Sequence, residues 1–206
     1  MYVRNWMSSP AVTIAPGVNV EEARALMEKK NVRRLPVVDR GRLVGIVTAS
    51  DIEAMLGRGR GLTLRDLYRA LDTRVEEVMT ADPITVRPTD TFEEAASIMR
   101  ERRVSGIPVV EGGRVVGMIT ESDMFAAITD LLGMHEEGER IVVPVTSPEG
   151  LLEALKRFSK GLGVRALVTY HDPTTKQWIA VVRVFGRPHG KARKPRARAR
   201  VAAAAK

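Results

Sequence analysis

The sequence predicts a mixed α/β (α+β) fold: two β-α-β-β-α repeats related by a pseudo-twofold axis, followed by a small β-α-β-β segment. Three observations carry that expectation. Residues 3–52 align with residues 75–124 without a gap, so that Gly45-Ile46-Val47-Thr48-Ala49-Ser50-Asp51 returns 72 positions later as Gly117-Met118-Ile119-Thr120-Glu121-Ser122-Asp123. Within each copy the apolar pattern changes from helical to strand period at matching places. Beyond residue 138 the repeat stops and a new strand-helix-hairpin pattern begins. Duplicated units of this kind pack on each other, and function is expected at the seam.

Each copy opens with an extended stretch, Thr13-Ile14 or Ile84-Thr85-Val86, that ends at Pro16 or Pro88. A helix follows, started by Asn19 with Glu22 and by Thr91 with Glu94, a cap and an acid three residues apart. Val20, Ala23, Leu26 and Met27, echoed by Phe92, Ala95, Ile98 and Met99, give it one apolar face. Leu35-Pro36-Val37-Val38 and Leu43-Val44-Gly45-Ile46-Val47, joined at Asp39-Arg40-Gly41, read as a hairpin; the second copy has a Gly112-Gly113 turn. Ser50 or Ser122 then caps a closing helix, with Glu53 completing a capping box in the first copy only. Residues 53–74 are expected to extend that helix and bridge the copies, with Gly57–Gly61 as a flexible point. In the third segment, Ile141–Val145 reads as a strand, a helix runs from Ser147 through Phe158, and Arg165–Tyr170 with Trp178–Val184 flank a hairpin loop. The expected domains are residues 1–72, 73–136, 137–186 and a disordered basic tail, 187–206.

Charge is unevenly placed. Of 33 basic and 25 acidic residues, eight basic and no acidic ones lie in 187–206, so the rest of the chain is neutral. Polyanion attraction, nucleic acid included, is therefore expected of the tail alone. The absence of cysteine excludes disulfides and thiolate metal sites. No segment is long and apolar enough to span a membrane and no signal-peptide pattern follows Met1, so a cytoplasmic location with no membrane partner is expected.

The chemistry concentrates in the recurring Thr-x-Ser-Asp. An Asp in a first helical turn is favoured by the helix dipole alone. Here, however, Thr, Ser and Asp recur together immediately after a Gly-containing apolar strand. Hydroxyls, a carboxylate and free N–H groups at a helix start suit a sugar diol and a phosphate. His135, His171 and His189 are dispersed, and the Gly57–Gly61 run lacks the Lys-Ser/Thr of a phosphate-binding loop, so no catalytic function is expected.

The doubled Gly-x-x-Thr-x-Ser-Asp, preceded by Val32-Arg33-Arg34-Leu35-Pro36-Val37-Val38-Asp39 or Val104-Ser105-Gly106-Ile107-Pro108-Val109-Val110-Glu111, closely resembles a tandem pair of CBS domains, the Bateman module. The resemblance covers about residues 1–130. It implies two clefts between the copies that bind AMP, ADP or ATP, with S-adenosylmethionine or NAD as other adenosine ligands, and regulation of an attached or separate protein; a homodimer is also expected. It places Asp51, Thr48 and Ser50 at one site, opposite Thr80, Ile84, Thr85 and Ser105. The mirror site uses Asp123, Thr120 and Ser122 with Ser8, Val12 and Thr13, and Gly106, Ile107 and Pro108 belong to the same nucleotide-binding set. Arg33-Arg34 aligns with Ser105-Gly106, so the paired guanidinium position occurs once, and the Asp51 site is expected to prefer phosphorylated ligands. Val145–Leu152 resembles the start of an ACT domain, a ferredoxin-like fold. There is room for only half of one, which points to a dimerising half-domain.

Overall fold

The computed structural model describes residues 1–56, 63–135, 137–145, 150–152, 162–185 and 200–201. The chain divides into two compact units, Met1–Phe125 and Ala126–Lys206. In the first, α1 (Val20–Lys30), β1 (Arg34–Asp39), β2 (Arg42–Thr48) and α2 (Ala49–Leu56) form one copy, and α3 (Leu64–Asp72) and β3 (Thr80–Ala81) lead to the second. That copy has α4 (Phe92–Arg102), β4 (Gly106–Glu111), β5 (Arg114–Thr120) and α5 (Glu121–Leu131), which runs on past the unit boundary.

The offset of 72 survives in fine detail. Asn19 accepts a hydrogen bond from the Glu22 N–H and Thr91 from that of Glu94, as expected of the two caps. Both helices end on a left-handed residue, Asn31 (φ 52°) and Arg103 (φ 54°). Both hairpins turn on two positive-φ residues, Arg40-Gly41 and Gly112-Gly113, the geometry that follows the twist of the flanking strands. Both carry an irregularity at the same place, between Val37 and Val38 and between Val109 and Val110. The helical faces meet these sheets in matching cores: Val20, Ala23, Met27, Leu35, Val37 and Val47 in one copy, Phe92, Ala95, Met99, Ile107, Val109 and Ile119 in the other.

The copies are completed by each other's leading segment. Residues 1–8 precede the first copy yet dock on the second: Val3 N–H donates to the Asp90 carbonyl, Phe92 N–H to that of Met1, and Ser8 exchanges backbone bonds with Met118. Trp6 lies 6.3 Å from Phe92 between ring centroids. Residues 73–81 do the same for the first copy, with Val20 N–H on the Thr73 carbonyl, Val75 N–H on that of Val18, and Thr80 paired with Ile46. Gly45 and Gly117 allow this, because a Cβ at either would run into the Met79 or Met7 side chain and the backbone of Thr80 or Ser8.

One connecting element differs from expectation. Leu64–Asp72 is a separate helix and not a continuation of α2, because Thr63 is extended (ψ 163°) and forms its own capping box with Asp66. Ala70 of this helix is buried in the core of the first copy. The proposed flexible point at Gly57–Gly61 lies outside the described residues.

In the second unit, β6 (Glu139–Val145) pairs antiparallel with β8 (Trp178–Phe185), which pairs antiparallel with β7 (Gly163–His171). The hairpin is where the sequence put it, its loop tightened by Asp172 Oδ1 accepting from the Thr174 N–H at 2.8 Å. Gly163 opens β7, and of the expected helix only residues 150–152 are described and helical. Arg200–Val201, within the segment expected to be disordered, form β9, parallel to β6 on the edge that β8 leaves free. The rest of 187–206 lies outside the described residues.

Candidate functional site

Each second hairpin strand ends on a threonine that starts a helix. Thr48 Oγ1 accepts from the Asp51 N–H at 3.3 Å, and Asp51 Oδ2 in turn accepts from the Thr48 N–H at 2.8 Å and hydroxyl at 2.7 Å. Thr120 and Asp123 repeat this at 3.4, 2.8 and 2.6 Å. These are reciprocal capping boxes. The expectation that Ser50 or Ser122 caps the helix, with Glu53 completing one box, is therefore corrected. The helices begin at Ala49 and Glu121, so Thr is the cap, Asp stands three residues on, and both serines are exposed inside the first turn.

The boxes give Asp51 and Asp123 a structural role without exhausting them. Only Oδ2 of each carboxylate is engaged, and both residues are half-buried. Oδ1 of each makes no hydrogen bond among the described residues. A rigid carboxylate with a spare oxygen at a helix start can accept from a vicinal diol, and the positive end of the helix dipole favours an anion beside it.

Backbone pairing brings the two helix starts to a common seam. Arg34 is the register partner of Thr48, and Gly106 that of Thr120. The Ala49 N–H donates to the Arg33 carbonyl and the Glu121 N–H to that of Ser105. Across the seam, Arg34 Nη2 donates to Ser105 Oγ. Gly106 makes room for this, since a Cβ there would overlap the Arg34 side chain. Burial lowers the Arg34 pKa from its ordinary range; Glu121 and Asp123 pull it back up, while Arg33 adds to the lowering. An anion beside Arg34 would offset that cost by charge pairing.

The remaining residues sort by position. Thr80 lies beside β2, the strand that ends in Thr48, and Ser8 beside β5, the strand that ends in Thr120. From there the two segments cross over: Ile14 reaches Val37 and Val86 reaches Val109, carrying Val12, Thr13, Ile84 and Thr85 between the copies. Ser8, Thr13, Ile84, Thr85, Arg33 and Ser105 are exposed. Ile107 and Pro108 are buried, and the Pro108 carbonyl accepts from the Val86 N–H. Arg34 and Ser105, both expected at the Asp51 cleft, are in contact, and Arg34 also lies within the field of Asp123, shared by both sides of the seam. Ser9, which donates to the Val116 carbonyl at 2.9 Å, was missed; nothing in the sequence distinguishes it from Ser8.

The CBS-domain family model matches residues 3–56 and again residues 75–130. The chain is a CBS-domain protein. Among solved structures it is similar to the CBS domain pair of protein MJ0100 in complex with 5′-methylthioadenosine and S-adenosyl-L-methionine. The identity is 30% and the TM-score 0.55, over 63% of this chain and 97% of that one. It is also similar to CBSX2 of Arabidopsis thaliana, in a structure with AMP, at 25% identity and a TM-score of 0.55 over 63% and 97% of the two chains. Curated relatives include an inosine-5′-monophosphate dehydrogenase of Korarchaeum cryptofilum, 36% identical over 64% of this chain and 25% of that protein. Protein MJ1225 of Methanocaldococcus jannaschii is 32% identical over 59% and 45%. The CBS chain thus spans less than half the length of these two relatives. Among the described residues no helix is long and apolar enough to cross a membrane.

Proposed function

We propose that this CBS pair is a non-catalytic regulatory sensor of adenosine nucleotides, AMP, ADP or ATP, held in clefts between the two copies. The supporting observation is the duplicated Thr-x-x-Asp box, which leaves one carboxylate oxygen unused at each of two helix starts that meet at Arg34. Asp51 or Asp123 would accept from the ribose hydroxyls, Arg34 and the positive helix ends would receive phosphate, and Thr80 with Ile84 or Ser8 with Val12 would wall the base. The solved relatives that bind AMP, S-adenosylmethionine or methylthioadenosine support the adenosine class. Regulation requires that ligand favour one arrangement of the copies over another.

Calorimetric titration of AMP into Asp51→Asn and Asp123→Asn variants tests the assignment, the amide retaining a cap acceptor. Each substitution is expected to remove one site; AMP binding unchanged in the double variant would refute it. The homodimer and the dimerising ACT-like segment belong to the same proposal, and exposed Leu64, Tyr68 and Phe125 offer apolar surface for self-association. Sedimentation of Tyr68→Glu against the unaltered chain checks that part.

A further inference from the structure

The first unit contains a cavity of about 740 Å³ that the clefts do not account for. It is lined by the first hairpin turn, the second hairpin turn and the segment from Asp82 to Thr85. Arg34 and Thr48 stand at the open end of the first hairpin and Arg40 and Gly41 at its closed end. Strand rise puts roughly 17 Å between those ends. Of the residues expected at the clefts, only Thr85 also lines this cavity.

Its lining is strongly basic. Arg42 and Arg114 occupy the same position in the two repeats, so a cavity lined by both lies where equivalent turns face each other. Arg40, where the second copy has Gly112, adds a third guanidinium, and Asp82 is the single acidic group in the wall. Among the described residues, none of these three arginine side chains makes a hydrogen bond or ion pair. Asp39 and Glu111 stand cross-strand from Arg42 and Arg114 without an ion pair, so three guanidinium forks around one concavity are available to match phosphate oxygens, within the usual volume range of small-ligand pockets. Gly41, Gly112 and Gly113 leave the approach unobstructed, with open space where a Cβ would stand.

We propose that this cavity is a second ligand site, separate from the clefts, for a phosphate-bearing small molecule clamped between Arg42 of one copy and Arg114 of the other. Arg40 adds a third phosphate contact, and Asp82 accepts from a hydroxyl or amino group on the same ligand. Because the clamp joins the two copies, its occupancy biases their relative angle and couples to the clefts.

The test is an amide ¹H–¹⁵N titration of the full chain with inorganic tripolyphosphate, which separates the cavity from the basic tail residue by residue. Saturable shifts are expected at Gly41, Gly112 and Gly113. They should weaken at least tenfold in an Arg40→Gln/Arg42→Gln/Arg114→Gln variant and persist in Asp51→Asn/Asp123→Asn. The three glutamines replace exposed side chains, and an unchanged melting temperature verifies the fold. Shifts confined to residues 187–206 or to the helix starts at Thr48 and Thr120 would overturn the proposal. So would an unaltered titration in the triple variant.

Discussion

The two copies of the repeat share a backbone and differ in what they place on it. Helix caps, hairpin turns, irregular strand positions and core contacts recur at the same offset, because each is dictated by local sequence that the duplication preserved. The divergence falls at the seam: Arg33-Arg34 in one copy faces Ser105-Gly106 in the other, and the Arg34 side chain fills space that Gly106 leaves open. The difference is complementary. One copy supplies the guanidinium and the other the room and the hydroxyl, so a duplicated fold acquires a single cationic centre between two equivalent helix starts.

The largest expected effect tests the sameness of the cores. Leu35→Ala and Ile107→Ala remove equivalent, fully buried side chains, and each should cost about 2–5 kcal/mol in urea unfolding. Costs that differ by more than the spread of that range would show that the copies do not share their packing. Next in size is the divergence itself. Arg34→Gln should weaken AMP about tenfold, the loss of one charge-assisted contact, and leave phosphate-free adenosine unchanged. Calorimetry with both ligands decides this, and an equal loss for adenosine would make Arg34 a packing residue only.

Smaller effects test the duplicated boxes. Thr48→Ala and Thr120→Ala should each destabilise by about 1 kcal/mol, read as matched drops in melting temperature. The smallest concerns Glu94, whose pKa is lowered from 4.5 by the backbone and hydroxyl hydrogen bonds of Thr91. A depressed folded-state pKa contributes stability that is present above the unfolded value and lost as pH falls through the folded one. Glu94→Gln should therefore flatten the stability profile below about pH 4.5 and leave its shape above that unchanged.

Much of this was legible in the chain. Asn19 with Glu22, Thr91 with Glu94, the Gly turns and the strand runs announce themselves within a few residues, since capping and turn chemistry are local. The Thr-x-Ser-Asp recurrence marked the two helix starts of the candidate site for the same reason. The capping partner was misassigned because Thr48 and Ser50 are both good caps, and only the position where β2 stops decides between them. The break before α3 was missed since Thr63 with Asp66 is a weak signal inside an apolar stretch.

By itself, the sequence determined the duplication, the order of elements, the faces that are buried and the residue types at the helix starts. All of these follow from spacing along one chain and its periodicities. Only the tertiary structure decided that residues 1–8 complete the second copy and residues 73–81 the first. It also decided that Arg34 crosses to Ser105 and that Arg42 and Arg114 converge on one cavity. Those contacts join residues 34 or more positions apart, and packing of the two copies, not local propensity, selects among the pairings such a distance allows.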